Sequence, residues 1–78
     1  MSNFSIQRGW IEFINVRDFK FLKFKIDRIQ SFGVSEEMQG SPSGEVTCAV
    51  SINSITFTLL YKTKDTAIND IYMLENII

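Results

Sequence analysis

The strongest constraint in the chain is a pair of seven-residue runs, Val46–Ile52 and Ile55–Tyr61, separated by two residues. Val46, Cys48, Val50 and Ile52 alternate with Thr47, Ala49 and Ser51. After Asn53-Ser54 the pattern resumes, with Ile55, Phe57, Leu59 and Tyr61 against Thr56, Thr58 and Leu60. A period of two is that of a strand with one covered face. Closing a two-residue turn at Asn53-Ser54 pairs Ile52 with Ile55, Val50 with Phe57, Cys48 with Leu59 and Val46 with Tyr61, all on one face. The other face receives Ser51 with Thr56, Ala49 with Thr58, Thr47 with Leu60, and Glu45 with Lys62. A slip of one residue would turn the apolar set to water, so the register is closely specified. Asn53 suits the turn because asparagine tolerates positive φ.

A second hairpin is expected upstream. Trp10–Val16 and Phe19–Ile26 are rich in β-branched and aromatic residues, with Arg17-Asp18 as a two-residue gap. Facing Val16 with Phe19 pairs Ile14 with Phe21, Glu12 with Lys23 and Trp10 with Lys25 on one face. The opposite face pairs Phe13 with Leu22 and Ile11 with Phe24. That second face is apolar along its length, whereas the first is apolar only near the turn.

Around these hairpins the signals are shorter. Phe4 and Ile6 alternate weakly, in keeping with a short strand or a flexible amino-terminal arm over residues 1–9. Asp27-Arg28 marks a bend, and Ile29, Phe32 and Val34 indicate a third strand from about Ile29 to Val34. The segment 35–44 holds the only proline and two of the four glycines, so it reads as a mobile surface loop within one domain. A terminal helix follows, capped by Thr63 or Thr66, with Asp65 and Asp70 near its positive end. Ala67, Ile71, Leu74 and Ile78 form its apolar stripe, flanked on both sides by Ile68, Tyr72, Met73 and Ile77. The expected fold is α+β: a single domain, 1–78, built on an antiparallel sheet of four or five strands with one carboxy-terminal helix packed on it.

Composition limits the chemistry. The chain has no histidine, one cysteine and no closely spaced carboxylate set, so no metal cluster, Cys/His pair or Ser/His/Asp arrangement is expected, nor any cofactor or catalytic residue. Glu36 and Glu37 read as solvated charge in the loop. Gly40 and Gly44 lack the spacing and lysine of a phosphate-binding loop. The net charge is -1, no apolar run reaches membrane-spanning length, and the start Met1-Ser2-Asn3-Phe4 lacks the pattern of a signal peptide. Cys48, alternating with apolar neighbours, reads as a buried thiol in a reducing compartment. The expectation is a non-enzymatic cytoplasmic protein with no membrane partner.

Charge is nonetheless segregated. Arg17, Lys20, Lys23, Lys25 and Arg28 against Asp18 and Asp27 make residues 17–28 locally +3, and the remaining residues sum to -4. Lysines beside Phe19 and Phe21 would suit a nucleotide or short single-stranded nucleic acid. The competing reading is that the lysines solubilise a strand edge and pair with Glu12. Independently, Ile14, Val16, Phe19 and Phe21 on the hairpin, with Tyr72, Met73 and Ile77 beside the helix, make a candidate interface for a protein partner or a homo-oligomer.

The run Phe24-Lys25-Ile26-Asp27-Arg28-Ile29-Gln30-Ser31-Phe32, after a first hairpin and before a Thr-rich hairpin and helix, resembles small bacterial and phage proteins of the flagellar FlbD-like type. Lys25 stands where that pattern has asparagine, Arg17-Asp18 where it has a glycine-containing turn, and segment 35–44 is longer. The resemblance implies a small antiparallel sheet with a terminal helix and supplies no catalytic residue. The apolar surface, the basic hairpin and the resemblance together frame three expectations. The leading one is a protein-interaction module, such as a phage-borne inhibitor of a host antiviral protein. The others are a nucleotide or nucleic-acid binder and a small flagellar or regulatory accessory protein.

Overall fold

The computed structural model describes residues 2–34, 39–40, 42 and 44–78. Seven strands and one helix follow in order: β1 (Phe4–Gln7), β2 (Trp10–Phe13), β3 (Leu22–Lys25), a 3-10 turn (Ile26–Arg28), β4 (Phe32–Val34), β5 (Gln39–Gly40), β6 (Val46–Ile52), β7 (Ile55–Tyr61) and α1 (Lys64–Ile77). The architecture is α+β. Its strands are divided between two antiparallel sheets, β1-β2-β3 and a second built on β6, which pairs with β7 on one side and with β4 and β5 in tandem on the other.

The β6–β7 hairpin has the register its alternation dictates, from Val46 opposite Tyr61 to Ile52 opposite Ile55. Asn53 and Ser54 both have positive φ, 51° and 69°, which matches the twist of a two-residue hairpin turn. Asn53 has a second role that local pattern does not show. Its Oδ1 accepts the Gln30 and Ser31 backbone N–H groups at 2.7 and 3.2 Å, and its Nδ2 donates to the Arg28 carbonyl at 3.2 Å. The turn thereby pins the chain that leads into β4. That strand is shorter than expected, three residues from Phe32 to Val34, and it pairs with Val50–Ile52 of β6.

Of the two expectations for the amino-terminal segment, the strand is the one observed. β1 pairs with β2 from Phe4 opposite Phe13 to Gln7 opposite Trp10, across a turn at Arg8 and Gly9 where φ is 54° and 81°. Gly9 suits the left-handed region because it has no Cβ. The expected mobile loop over 35–44 falls largely outside the described residues, but Gln39–Gly40 within it forms β5 against Val46–Thr47.

The first hairpin is half as expected. Trp10 faces Lys25, Ile11 Phe24, Glu12 Lys23 and Phe13 Leu22, yet the ladder stops there. The tight turn at Arg17-Asp18, with Val16 facing Phe19 and Ile14 facing Phe21, is not formed. Residues 15–18 leave β3 and lie along the outer edge of β7. Val16 bridges Leu59, the Arg17 N–H donates to the Thr58 carbonyl at 3.0 Å, and the Leu60 N–H donates to the Asn15 carbonyl at 3.1 Å. Asp18 Oδ2 accepts the Thr58 N–H at 3.0 Å. An open β7 edge would leave Thr58 and Leu60 backbone groups unpaired beside the core, and residues 15–18 satisfy them. This crossing stitches the two sheets together.

Between the sheets lies an aromatic cluster. The Phe13 ring stands 5.0 Å from Phe57, 6.1 Å from Phe4 and 6.3 Å from Phe24, and Phe24 stacks on Phe57 at 6.0 Å. Two strands of the first sheet, β2 and β3, thus meet β7 through Phe57, and β1 joins the cluster through Phe4 on Phe13. The helix closes the core with Ala67, Ile71 and Leu74, and Thr63 caps it by accepting the Thr66 N–H at 3.3 Å. Ile78, expected in the stripe, lies past the last turn and is exposed.

Candidate functional site

Two surfaces of the first sheet and one buried polar cluster can do more than hold the fold. On the outer face of β1-β2-β3, alternation sets two cross-strand rows, Ser5-Glu12-Lys23 and Gln7-Trp10-Lys25. The Lys23 ammonium sits 5.5 Å from the Trp10 ring centroid, a cation–π contact. Ser5, Gln7, Arg8, Trp10, Glu12 and Lys23 line a shallow groove of about 490 Å³. Trp10 is 40% exposed there, so part of its ring is free to stack.

The proposed cation set does not converge. Lys23 reaches Trp10, while Lys25 faces Asp27 at 4.0 Å. Arg17 turns to β7, with Nη2 donating to Thr58 Oγ1 at 3.3 Å and Nε 3.7 Å from Asp18. Lys20 and Arg28 are exposed on the segments flanking β3. Phe19 and Phe21 lie in the connection between β2 and β3 and share no strand face with Lys23 and Lys25, which corrects the expected aromatic and basic ribbon. Sequence reading missed Ser5, Gln7, Arg8 and Trp10 as a group, because β1 brings the first three beside Trp10 only once its turn is closed.

The apolar candidates divide likewise. Phe21 is 82% exposed and Ile14 62%; they flank the last pair of the β2–β3 ladder, Phe13 opposite Leu22. Phe19 is exposed nearby in sequence, and Val16 is half-buried by its bridge to Leu59. On α1 successive residues turn by about 100°, so Tyr72 falls on the flank with Ile68, whereas Met73 and Ile77 fall on the other, which also carries Asp70. Tyr72, Met73 and Ile77 therefore do not make one patch.

The buried polar cluster was not foreseen. Asp70, 2% exposed, borders the helix stripe beside Ala67 and Leu74, and its Oδ2 accepts the Asn3 backbone N–H at 2.7 Å. The Asn3 amide donates to the carbonyls of Asn15 at 2.7 Å and Leu60 at 3.0 Å, and its Oδ1 accepts the Asn15 N–H. One side chain thereby ties β1 to the crossing segment and to β7. A helical wheel places Asp70 at the border of the apolar stripe, next to Leu74 and Ala67, and that was the available signal. Beside it the Tyr61 hydroxyl is buried without a hydrogen-bond partner among the described residues. Burial first, and then the Asp70 carboxylate, push the Tyr61 phenol above its ordinary value. Burial alone raises the Cys48 thiol.

The sign of the Tyr61 effect follows from linkage. The folded chain keeps the phenol protonated at pH values where the unfolded chain loses its proton, from about pH 10 upward. Stability from this group is complete below that pH and falls as pH rises above it. Tyr61→Phe is expected to change neutral-pH stability by less than about 1 kcal/mol, because the hydroxyl, although close enough to Asp70 to feel its charge, makes no hydrogen bond of ordinary geometry, and to flatten the alkaline loss. Urea midpoints at neutral pH and above pH 10 measure both; a substantial neutral-pH loss would show that the hydroxyl is bonded after all.

Among the described residues no group of three or more His, Cys, Asp and Glu side chains is placed to hold a metal ion, and no helix is long and apolar enough to cross a membrane. Compared with protein-family models, curated protein sequences and solved structures, the chain finds no match in any of the three.

Proposed function

We propose that this chain is a binding module that works by protein–protein contact at the end of its first sheet, around Ile14 and Phe21. The exposure of Phe21 carries the reading: a phenylalanine left 82% in water, at the same end of the β2–β3 ladder as a 62% exposed isoleucine, supports docking to an apolar partner. Aromatic anchors of this kind dominate binding energy where they fill a partner's pocket. The expected result in affinity capture from host lysate is a partner retained at moderate salt by the natural chain and lost with Phe21→Ser. A partner held equally by both chains would place the contact elsewhere.

A second reading is favoured by the Trp10 groove. A short planar anion stacked on Trp10 and paired with Arg8 or Lys23 would quench Trp10 fluorescence, and its affinity would fall steeply with salt. An apolar contact at Phe21 would hold as salt rises.

A further inference from the structure

We propose that the open edge of β1 pairs with the same edge of a second copy of the chain, joining two three-stranded sheets into one of six strands about a two-fold axis at Ser5. It involves a different surface from Phe21 and does not depend on it.

The phase of the β1–β2 ladder sets the geometry. The Ile14 N–H donates to the Asn3 carbonyl at 2.9 Å, which makes Asn3 opposite Ile14 a hydrogen-bonded position. In an antiparallel pair such positions alternate, so Ser5 and Gln7 bond to β2 while the N–H and C=O groups of Phe4 and Ile6 point away from it. β1 ends the sheet order, and no described residue accepts from or donates to those outward groups.

The two edges of this sheet differ in protection. β3 carries Lys23 and Lys25, the charges that keep edge strands from pairing. β1 reads Phe-Ser-Ile-Gln, without charge or proline. Joining outward groups to outward groups places Phe4 opposite Ile6 of the second copy, twice, with Ser5 opposite Ser5 at the axis. On the inner face the row Leu22-Phe13-Phe4 then continues into Ile6-Ile11-Phe24 of the other copy. Ile6, apolar and 45% exposed in the single chain, becomes covered. On the outer face the two Glu12 side chains are separated by both serines, so no like charges stand directly opposite. An edge this short makes a small interface, and association is expected to be reversible.

Ser5→Cys tests the register. Ser5 opposite Ser5 is a non-hydrogen-bonded pair, with Cα atoms roughly 4.5 Å apart, inside the range a disulfide spans. Mild oxidation of Ser5→Cys should yield a disulfide-linked dimer much faster than oxidation of Gln7→Cys, whose counterpart lies across from residue 3. Cys48 is buried and out of reach. Ile6→Pro removes an outward donor without touching the β1–β2 ladder, so it should keep the circular dichroism spectrum of the natural chain and lose self-association in sedimentation equilibrium. Should that variant fail to fold, Ile6→Lys serves the same purpose by placing a charge on the edge. A natural chain that sediments as a monomer throughout the micromolar range overturns the proposal. So does equal cross-linking of the two cysteine variants, or association that survives at position 6 but is lost with Phe21→Ser.

Discussion

Replacing Phe57 by alanine is expected to cost about 3–5 kcal/mol, a large share of the total stability of a domain this size. Phe57 is fully buried and touches both Phe13 and Phe24, so it is the one ring through which β7 meets two strands of the other sheet. Truncation removes that contact and leaves a cavity at the junction of the two sheets. A chain of this length begins with only about 4–12 kcal/mol, so thermal unfolding should shift down by more than roughly 12 °C, or the variant should be unfolded at room temperature. Phe57→Leu should lose clearly less. A melting point within a few degrees of the natural chain for Phe57→Ala would mean that the two sheets do not depend on this cluster.

The second large effect is expected at Asn3. Its side chain makes three hydrogen bonds to backbone groups of Asn15 and Leu60, and the residue is itself buried. Asn3→Ala leaves the Leu60 carbonyl and the Asn15 N–H without partners, while the Asn15 carbonyl keeps the Leu60 N–H; at about 1–3 kcal/mol for each group shielded from water, the total is roughly 2–4 kcal/mol after relaxation. Asn3→Asp should be worse than alanine, because it cannot donate to either carbonyl and adds a negative charge close to Asp70. Urea midpoints give the size of the loss, and hydrogen exchange at the Asn15 amide gives its location. If Asn3→Ala unfolds at the same urea concentration as the natural chain, water replaces the side chain and the cluster is not a clasp.

The two predictions draw on different kinds of information. Phe57 is legible as core from its alternation with Thr56 and Thr58, and all seven pairs of its hairpin follow from period and turn length. Contacts that close across a two-residue turn need no knowledge of the rest of the chain. The same holds for the four pairs from Trp10–Lys25 to Phe13–Leu22, for the Thr63 cap, and for Ala67, Ile71 and Leu74 on the covered side of the helix. Asn3 carries no such signal. Its partners lie 12 and 57 residues away, and an asparagine near the start of a chain has the same local pattern whether it is solvated or clasped.

The candidate sites follow the same division. Phe21 and Ile14 are legible as surplus apolar surface, and both are exposed. Their expected pairing is not observed, since the hairpin tip opens. Local propensity favours a two-residue turn at Arg17-Asp18 only by a small margin, and the unpaired edge of β7, about 40 residues later, offers backbone partners to the Asn15 carbonyl and the Arg17 N–H. Non-local hydrogen bonds that satisfy buried groups outweigh a turn that leaves them open.

Alone, then, the sequence determined the β6–β7 hairpin, the ladder between β2 and β3, the capped helix and the buried thiol, because each rests on contacts within a few residues or on a short period. Only the tertiary structure decided that residues 15–18 leave the first hairpin to join β7 and that Asn3 and Asp70 are buried together. Those outcomes depend on which distant backbone groups lack partners once the local elements have formed, and no local pattern in the chain encodes that.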